Sequence, residues 1–386
     1  MKKNMIADGI QYIGINDKTI DLFESQYIVP NGVSYNAYCI LDEKVAILDT
    51  VDHRMSVEWL MQLDAALQGR QPDFLIISHL EPDHAGTIAE LIAKYPQITL
   101  VGNAKTFSML PNFFALSDQP KITVAEGDTL SLGKHTLQFF LAPMVHWPEV
   151  MVTYEQTEKI LFSADGFGKF GALDTEEPWD EEARRYYYNI VGKYGMPVQT
   201  LLKKAATLEI SMICPLHGPI LKENLEHYIE KYRIWSSYQP EEHGILIAYA
   251  SIHGNTAKAA EQLADKLIRA GETVAITDLA RDDLAEAISN AFRYDRMVLA
   301  SASYDGGVFP PMEDFLLHLK AKMYQNRKVA LIENGSWAPS AKRVMLSYLE
   351  SMKNITVLEP TVTIRSTVQP ETEAKLQELA DAVQNA

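Results

Sequence analysis

Cysteine is nearly missing from this chain: two in 386 residues, Cys39 and Cys214, each beside apolar neighbours. That scarcity excludes a disulfide framework and a cysteine-ligated metal cluster. No apolar run approaches the roughly 20 residues that a membrane-spanning helix needs. The start, Met1-Lys2-Lys3-Asn4-Met5, leads into no leader-like apolar core, so the expectation is a cytoplasmic protein with no membrane association. Positive charge is also scarce. With 35 Lys and Arg against 51 Asp and Glu, the net charge of −16 disfavours nucleic acid and anionic lipid as partners. Internal repeats and low-complexity tracts are missing as well.

What is present is enough chain for two domains, each able to bury its own core. Up to about residue 235 short apolar strands come in consecutive pairs, at 35–41, 45–49, 74–78, 99–101, 122–124, 137–141, 150–154 and 159–163. Helical patterns interrupt them at 56–68, 86–95, 180–194, 197–208 and 221–236. Paired strands with a few covering helices predict two face-to-face sheets flanked by helices, an αββα sandwich. After the polar connector 236–242, strand and helix alternate strictly. Strands at 245–250, 273–277, 297–300, 328–333 and 357–364 predict a doubly wound, parallel, five-stranded α/β sheet, with its ligand site at the strand carboxyl ends. The expected domains are 1–240 and 241–386.

The first half carries a dense run of metal-binding side chains, His79-Leu80-Glu81-Pro82-Asp83-His84, directly after the apolar stretch 74–77. Strand periodicity puts His79, Glu81 and Asp83 on one side of an extended segment. Further ligand types follow apolar strands and precede Gly or Pro turns: His146 before Trp147-Pro148, Asp165 before Gly166, and His217 before Gly218. Singly, each is more simply a hydrogen-bonded turn residue. Together they predict a dinuclear metal site. A carboxylate at position 81 is a hard donor and moves the preference from zinc toward iron or manganese.

The second half offers three loops at strand carboxyl ends. Ser251, His253, Gly254, Asn255 and Thr256 open a helix, and hydroxyls with free backbone N–H groups there suit a terminal phosphate. Ser303, Tyr304, Asp305, Gly306 and Gly307 form one further loop, and Asn334, Gly335, Ser336 and Trp337 another. Each combines glycine with an aromatic, suited to a flat ring whose polar edge bonds to backbone.

In order and spacing, the metal residues resemble the metallo-β-lactamase superfamily, with Glu81 where its hallmark has a second histidine. His-x-Glu-x-Asp-His, His146-Trp147-Pro148 and a flavodoxin-like second half with the FMN-binding pattern together resemble the flavodiiron proteins. This resemblance spans nearly the whole chain. It implies His79, Glu81 and His146 on one iron, Asp83 and His217 on the other, and Asp165 bridging. His84 completes the motif as a seventh candidate, which some relatives turn away in favour of water. Tyr194 is implied as a phenol near the irons. The segment 23–27, where some relatives carry a histidine over the metals, has none here.

The implied activity is reduction of O2 to water, of NO to N2O, or both, against oxygen or nitrosative stress, with FMN relaying electrons to a non-haem diiron site. A separate donor is then required, rubredoxin or a rubredoxin reductase chain, or the reduced deazaflavin coenzyme F420H2. A head-to-tail homodimer or a dimer of dimers is implied. Two other readings stay open: a zinc metallohydrolase of thioesterase or glyoxalase II type fused to a flavodoxin domain, and a redox carrier or sensor with a vestigial metal site.

Overall fold

The computed structural model describes residues 4–116 and 118–386, so Met1 to Lys3 of the amino-terminal stretch read above lie outside the described residues. Two compact units emerge from the packing: Met1–Tyr187 with Met196–Arg233, and Tyr188–Gly195 with Ile234–Ala386.

In the first unit one sheet runs in the order Met5–Ala7, Ile10–Tyr12, Tyr38–Leu41, Val45–Leu48, Phe74–Ile76, Thr99–Asn103, Lys121–Val124. Its first four strands are antiparallel neighbours and the remaining pairings are parallel. The other sheet runs Thr129–Ser131, Thr136–Leu141, Met151–Glu155, Ile160–Phe162, Met212–Cys214. Alternating side chains from both sheets meet in one core, Ile40, Leu48, Ile76 and Val101 from the first against Phe139, Met151, Ile160 and Phe162 from the second. Non-directional burial of those branched and aromatic groups holds the sheets face to face. Helices Ser56–Leu67, Ile88–Lys94, Trp179–Tyr186 and Gly195–Ala205 accompany them, giving the expected αββα order. The single helix expected over 180–194 is broken: after Tyr186 it passes into a wider π turn over Tyr187–Val191. Two short ribbons escaped the sequence reading, Ile15–Asp17 with Val33–Tyr35, and Leu22–Phe23 with Tyr27–Ile28. At two or three residues a strand has too little alternation to be read.

The second unit has its parallel strands in the order Val274–Asp278, Glu242–Ala250, Tyr294–Tyr304, Gln325–Asn334, Lys353–Val357. The chain runs outward in both directions from Glu242–Ala250, which opens a crevice at the carboxyl ends between it and Tyr294–Tyr304. Helices Asn255–Arg269 and Pro370–Gln384 bury Leu263, Leu267, Leu376, Leu379 and Val383 against one face of the sheet. The fifth strand expected over 357–364 is in fact two pieces. Lys353–Val357 and Val362–Ile364 pair with different stretches of Gln325–Asn334, because Pro360 between them has no N–H to give to the ladder.

Candidate functional site

Strand Phe74–Ile76 delivers His79 through a turn that Asp49 fixes: its Oδ1 accepts from Ser78 N at 2.7 Å and His79 N at 3.4 Å. Glu81 stays extended, and the single turn Pro82–Ala85 then brings Asp83 and His84 inward. His146 and Asp165 arrive from turns after Thr136–Leu141 and Ile160–Phe162. The Asp165 turn closes on itself, with Gly166 N donating to Ser163 O at 3.0 Å and Ser163 Oγ to Gly166 O at 2.7 Å. His217 follows Met212–Cys214, and Asn36 Nδ2 holds its loop by donating to Pro215 O and Gly218 O, each at 2.8 Å.

These seven side chains converge as two adjoining groups, His79, Glu81, His146 and Asp165, and Asp83, His84 and His217. In the first, Glu81 Oε2 stands 3.2 Å from His79 Nε2 and 3.0 Å from His146 Nε2, and Asp165 Oδ2 is 3.1 Å from His146 Nε2. In the second, His217 Nε2 is 3.1 Å from Asp83 Oδ2 and 3.1 Å from His84 Nε2. The other Asp165 oxygen, Oδ1, faces this group, 3.2 Å from His84 Nε2 and 3.8 Å from His217 Nε2. One carboxylate therefore addresses both. Separations of this size are those of donors about 2.1 Å from a common ion.

The donor chemistry fits metal. Both Asp83 oxygens, Asp165 Oδ1 and His146 Nε2 are buried with no hydrogen bond, a costly arrangement unless a cation takes their lone pairs. Burial opposes an imidazolium at His146, yet Asp165 and Glu81 push its ring up to about 9. Burial likewise opposes a charged Asp165, yet His146 and His84 hold its carboxyl well below the usual range. So much negative charge around imidazoles is a cation site. The rings are also oriented for one. His79 Nδ1 donates to Glu149 Oε1 at 2.8 Å and His217 Nδ1 to the Ser34 carbonyl at 2.8 Å, leaving each Nε2 lone pair inward.

Glu149 was not legible as a partner of His79, being 70 positions away in the chain. It also accepts from Leu80 N at 2.9 Å. Glu149→Ala is expected to weaken metal retention about 10- to 100-fold, read as metal content after a timed chelator challenge; retention equal to the parent would remove this orienting role.

In the second unit, a cavity of about 740 Å³ opens among the three loops, and every expected FMN residue except Gly254 and Gly307 lines it. Gly254 instead makes the turn, at φ 85° directly before helix Asn255–Arg269, a conformation that costs other residues. Trp337 and Tyr304 stand 87% and 46% exposed at the cavity. Two bare aromatics beside a helix amino terminus fit a flat ring carrying a phosphate. Ser366, unforeseen, joins the lining; its N–H donates to Asn334 Oδ1 at 3.1 Å and its Oγ to Ser336 Oγ at 2.7 Å.

Comparison with known proteins matches residues 33–218 to the ODP family beta lactamase and residues 246–364 to a flavodoxin domain. An uncharacterized protein of Methanocaldococcus jannaschii is 30% identical over 320 residues, 81% of either chain. The anaerobic nitric oxide reductase flavorubredoxin of Vibrio vulnificus is 28% identical, over 86% of this chain and 70% of that one. The rubredoxin oxygen:oxidoreductase of Desulfovibrio gigas superposes with a TM-score of 0.93 at 26% identity, over 99% of this chain and 98% of its own. This chain belongs to the flavodiiron family. The flavodiiron protein of Giardia intestinalis, at 22% identity and a TM-score of 0.91, adds likeness of fold.

Two features of this flavodiiron chain differ from the sequence expectation. Tyr194 falls in the segment assigned to the second unit, where it is half-buried with the Lys193 ammonium 5.9 Å from its ring. One phenol against the metal residues is Tyr186, whose ring centre lies 5.5 Å from that of His217. Burial first, then the charges of Asp165, Asp83 and Glu81, raise its pKa far above the ordinary phenol value. The triple Tyr186-Tyr187-Tyr188 was the available signal. The other feature is Glu24, in the segment where histidine is missing. Desolvation at the ribbon tip, then the Glu81 charge, push its carboxyl up to about 7, so the segment does bring an ionisable group to the metal residues.

Proposed function

We propose that this flavodiiron protein is an oxidoreductase that reduces O2 to water, NO to N2O, or both, with electrons delivered through FMN. The observation carrying this reading is the Asp165 carboxylate with one oxygen turned to each half of the site, in a chain whose second half holds a flavin-shaped cleft. His79, Glu81 and His146 would hold one iron, Asp83 and His217 with His84 the other, and Asp165 would serve both. FMN and the iron pair, when bound, supply one-electron steps and a place for the gas. The chain's own part is to hold ligands still and to manage protons. Glu149 and Ser34 keep the His79 and His217 rings turned to the metals, and Tyr186 keeps its phenol proton beside them.

The functional division proposed is residues 1–240 for the metals and 241–386 for FMN. Rubredoxin or a rubredoxin reductase chain is the donor we favour, with F420H2 as the other candidate, and the assembly we propose is a head-to-tail homodimer or a dimer of dimers. No helix among the described residues is long and apolar enough to cross a membrane; the cytoplasm is the proposed location.

The decisive experiment reduces the FMN- and iron-loaded protein anaerobically, then supplies O2 and NO separately, measuring gas consumed per flavin and N2O formed. Consumption of neither gas by the reduced holoprotein would sink the proposal.

A further inference from the structure

A cavity of about 500 Å³ opens directly on the metal residues, for Glu81 of one group and Asp83 of the other both line it. Its other walls bring Glu24, Asp52, Tyr35 and Arg54. Carboxylates accept hydrogen bonds, whereas a diatomic oxidant gains negative charge as it is reduced and needs donors. Arg54 is the one cation among the described lining residues, and Tyr35 is the phenol beside it.

Tyr35 sits at the end of ribbon strand Val33–Tyr35, 1% exposed, with its ring edge-on to the His217 imidazole at 6.0 Å between centres. Its Oη accepts from Arg54 Nη2 at 2.9 Å. Arg54 in turn is fixed by Asp52, with Nε to Oδ1 at 3.0 Å, and by the buried Asp17, with Nη2 to Oδ2 at 3.1 Å. Once Tyr35 Oη accepts from a guanidinium, its own O–H must donate elsewhere, and among the described residues no protein acceptor takes it. Asp83, which lines the same cavity, has no hydrogen bond at either oxygen. The hydroxyl hydrogen is therefore left to the cavity. A donor that itself accepts from a cation is polarised and strengthened.

Resting on the functional reading above, we propose that Tyr35 is a catalytic residue whose hydroxyl donates a hydrogen bond to the small oxidant held at the open face of the metal pair, with Arg54, Asp17 and Asp52 as positioning residues.

The test uses the FMN- and iron-loaded protein, with NO as probe. In the parent, the N–O stretch of the bound gas is expected to move when H2O is exchanged for D2O. Tyr35→Phe, at parental iron content, is expected to lose that isotope shift and to lower turnover about 10- to 100-fold. A variant with full iron, the parental stretch and the parental isotope shift would overturn the proposal. Should Tyr35→Phe fail to retain iron, Arg54→Met leaves the phenol and removes its guanidinium anchor; the isotope shift is then expected to shrink, and a parental stretch with a parental isotope shift overturns the role. A parent that binds no NO at all would defeat the functional reading itself, an outcome distinct from a normal adduct indifferent to Tyr35.

Discussion

Glu81→His is expected to replace iron with zinc in the first metal position and to cut O2 and NO turnover at least about 100-fold. Glu81 Oε2 lies 3.0 Å from His146 Nε2 and 3.2 Å from His79 Nε2, so an imidazole there completes a three-histidine set. Such a set suits zinc, which has no accessible second oxidation state. Metal analysis of protein purified from medium containing both metals, paired with gas uptake, reads both effects. Unchanged uptake with full iron would show that the carboxylate at 81 is not what selects the metal and its chemistry.

Gly335→Val strikes the other cofactor. A side chain at Gly335 would meet Pro339 Cα at 2.7 Å, Pro339 N at 3.0 Å and Ser303 Oγ at 3.0 Å. Backbone cannot yield as a flexible side-chain tip does. Ser303 Oγ is also committed, accepting from Ser340 N at 2.8 Å, so two of the three flavin loops would shift together. Overpacking of this kind costs about 1–3 kcal/mol, expected here as FMN binding weakened about 5- to 150-fold. Fluorescence titration of the flavin-free protein measures it, and unaltered metal content checks that the first unit is intact. Parental FMN affinity would mean that the loop tolerates displacement and does not shape the cleft.

Much of this was readable in the residues because each metal-site candidate follows an apolar strand and precedes a turn, so that local pattern and site coincide. The segment from His79 to His84, the turns at His146, Asp165 and His217, and the loops at 251, 303 and 334 all obey that rule. Where pattern and site part company, the sequence is silent. Glu149 serves His79 across 70 positions, a pairing set by sheet-on-sheet packing. Tyr186, not Tyr194, packs its ring on His217, and the π turn that breaks the expected helix after Tyr186 has no sequence signal. Ser366 reaches the flavin cleft because Pro360 splits the last strand and restarts it in another register. Glu24 lies at the tip of a ribbon too short to announce itself.

Glu149 ties more together than one ring. Its carboxylate holds His79 and Leu80, while its own carbonyl accepts Asn103 Nδ2 at 2.6 Å, and Asn103 Oδ1 caps helix Ala104–Met109 through Lys105 N and Thr106 N. Since Glu149 follows His146 by three positions, two loops carrying ligands for one ion are knotted to a helix end by bonds between protein groups alone. Part of the entropy of ordering those ligands is thus met by bonds within the chain, which leaves less of it for metal binding to offset.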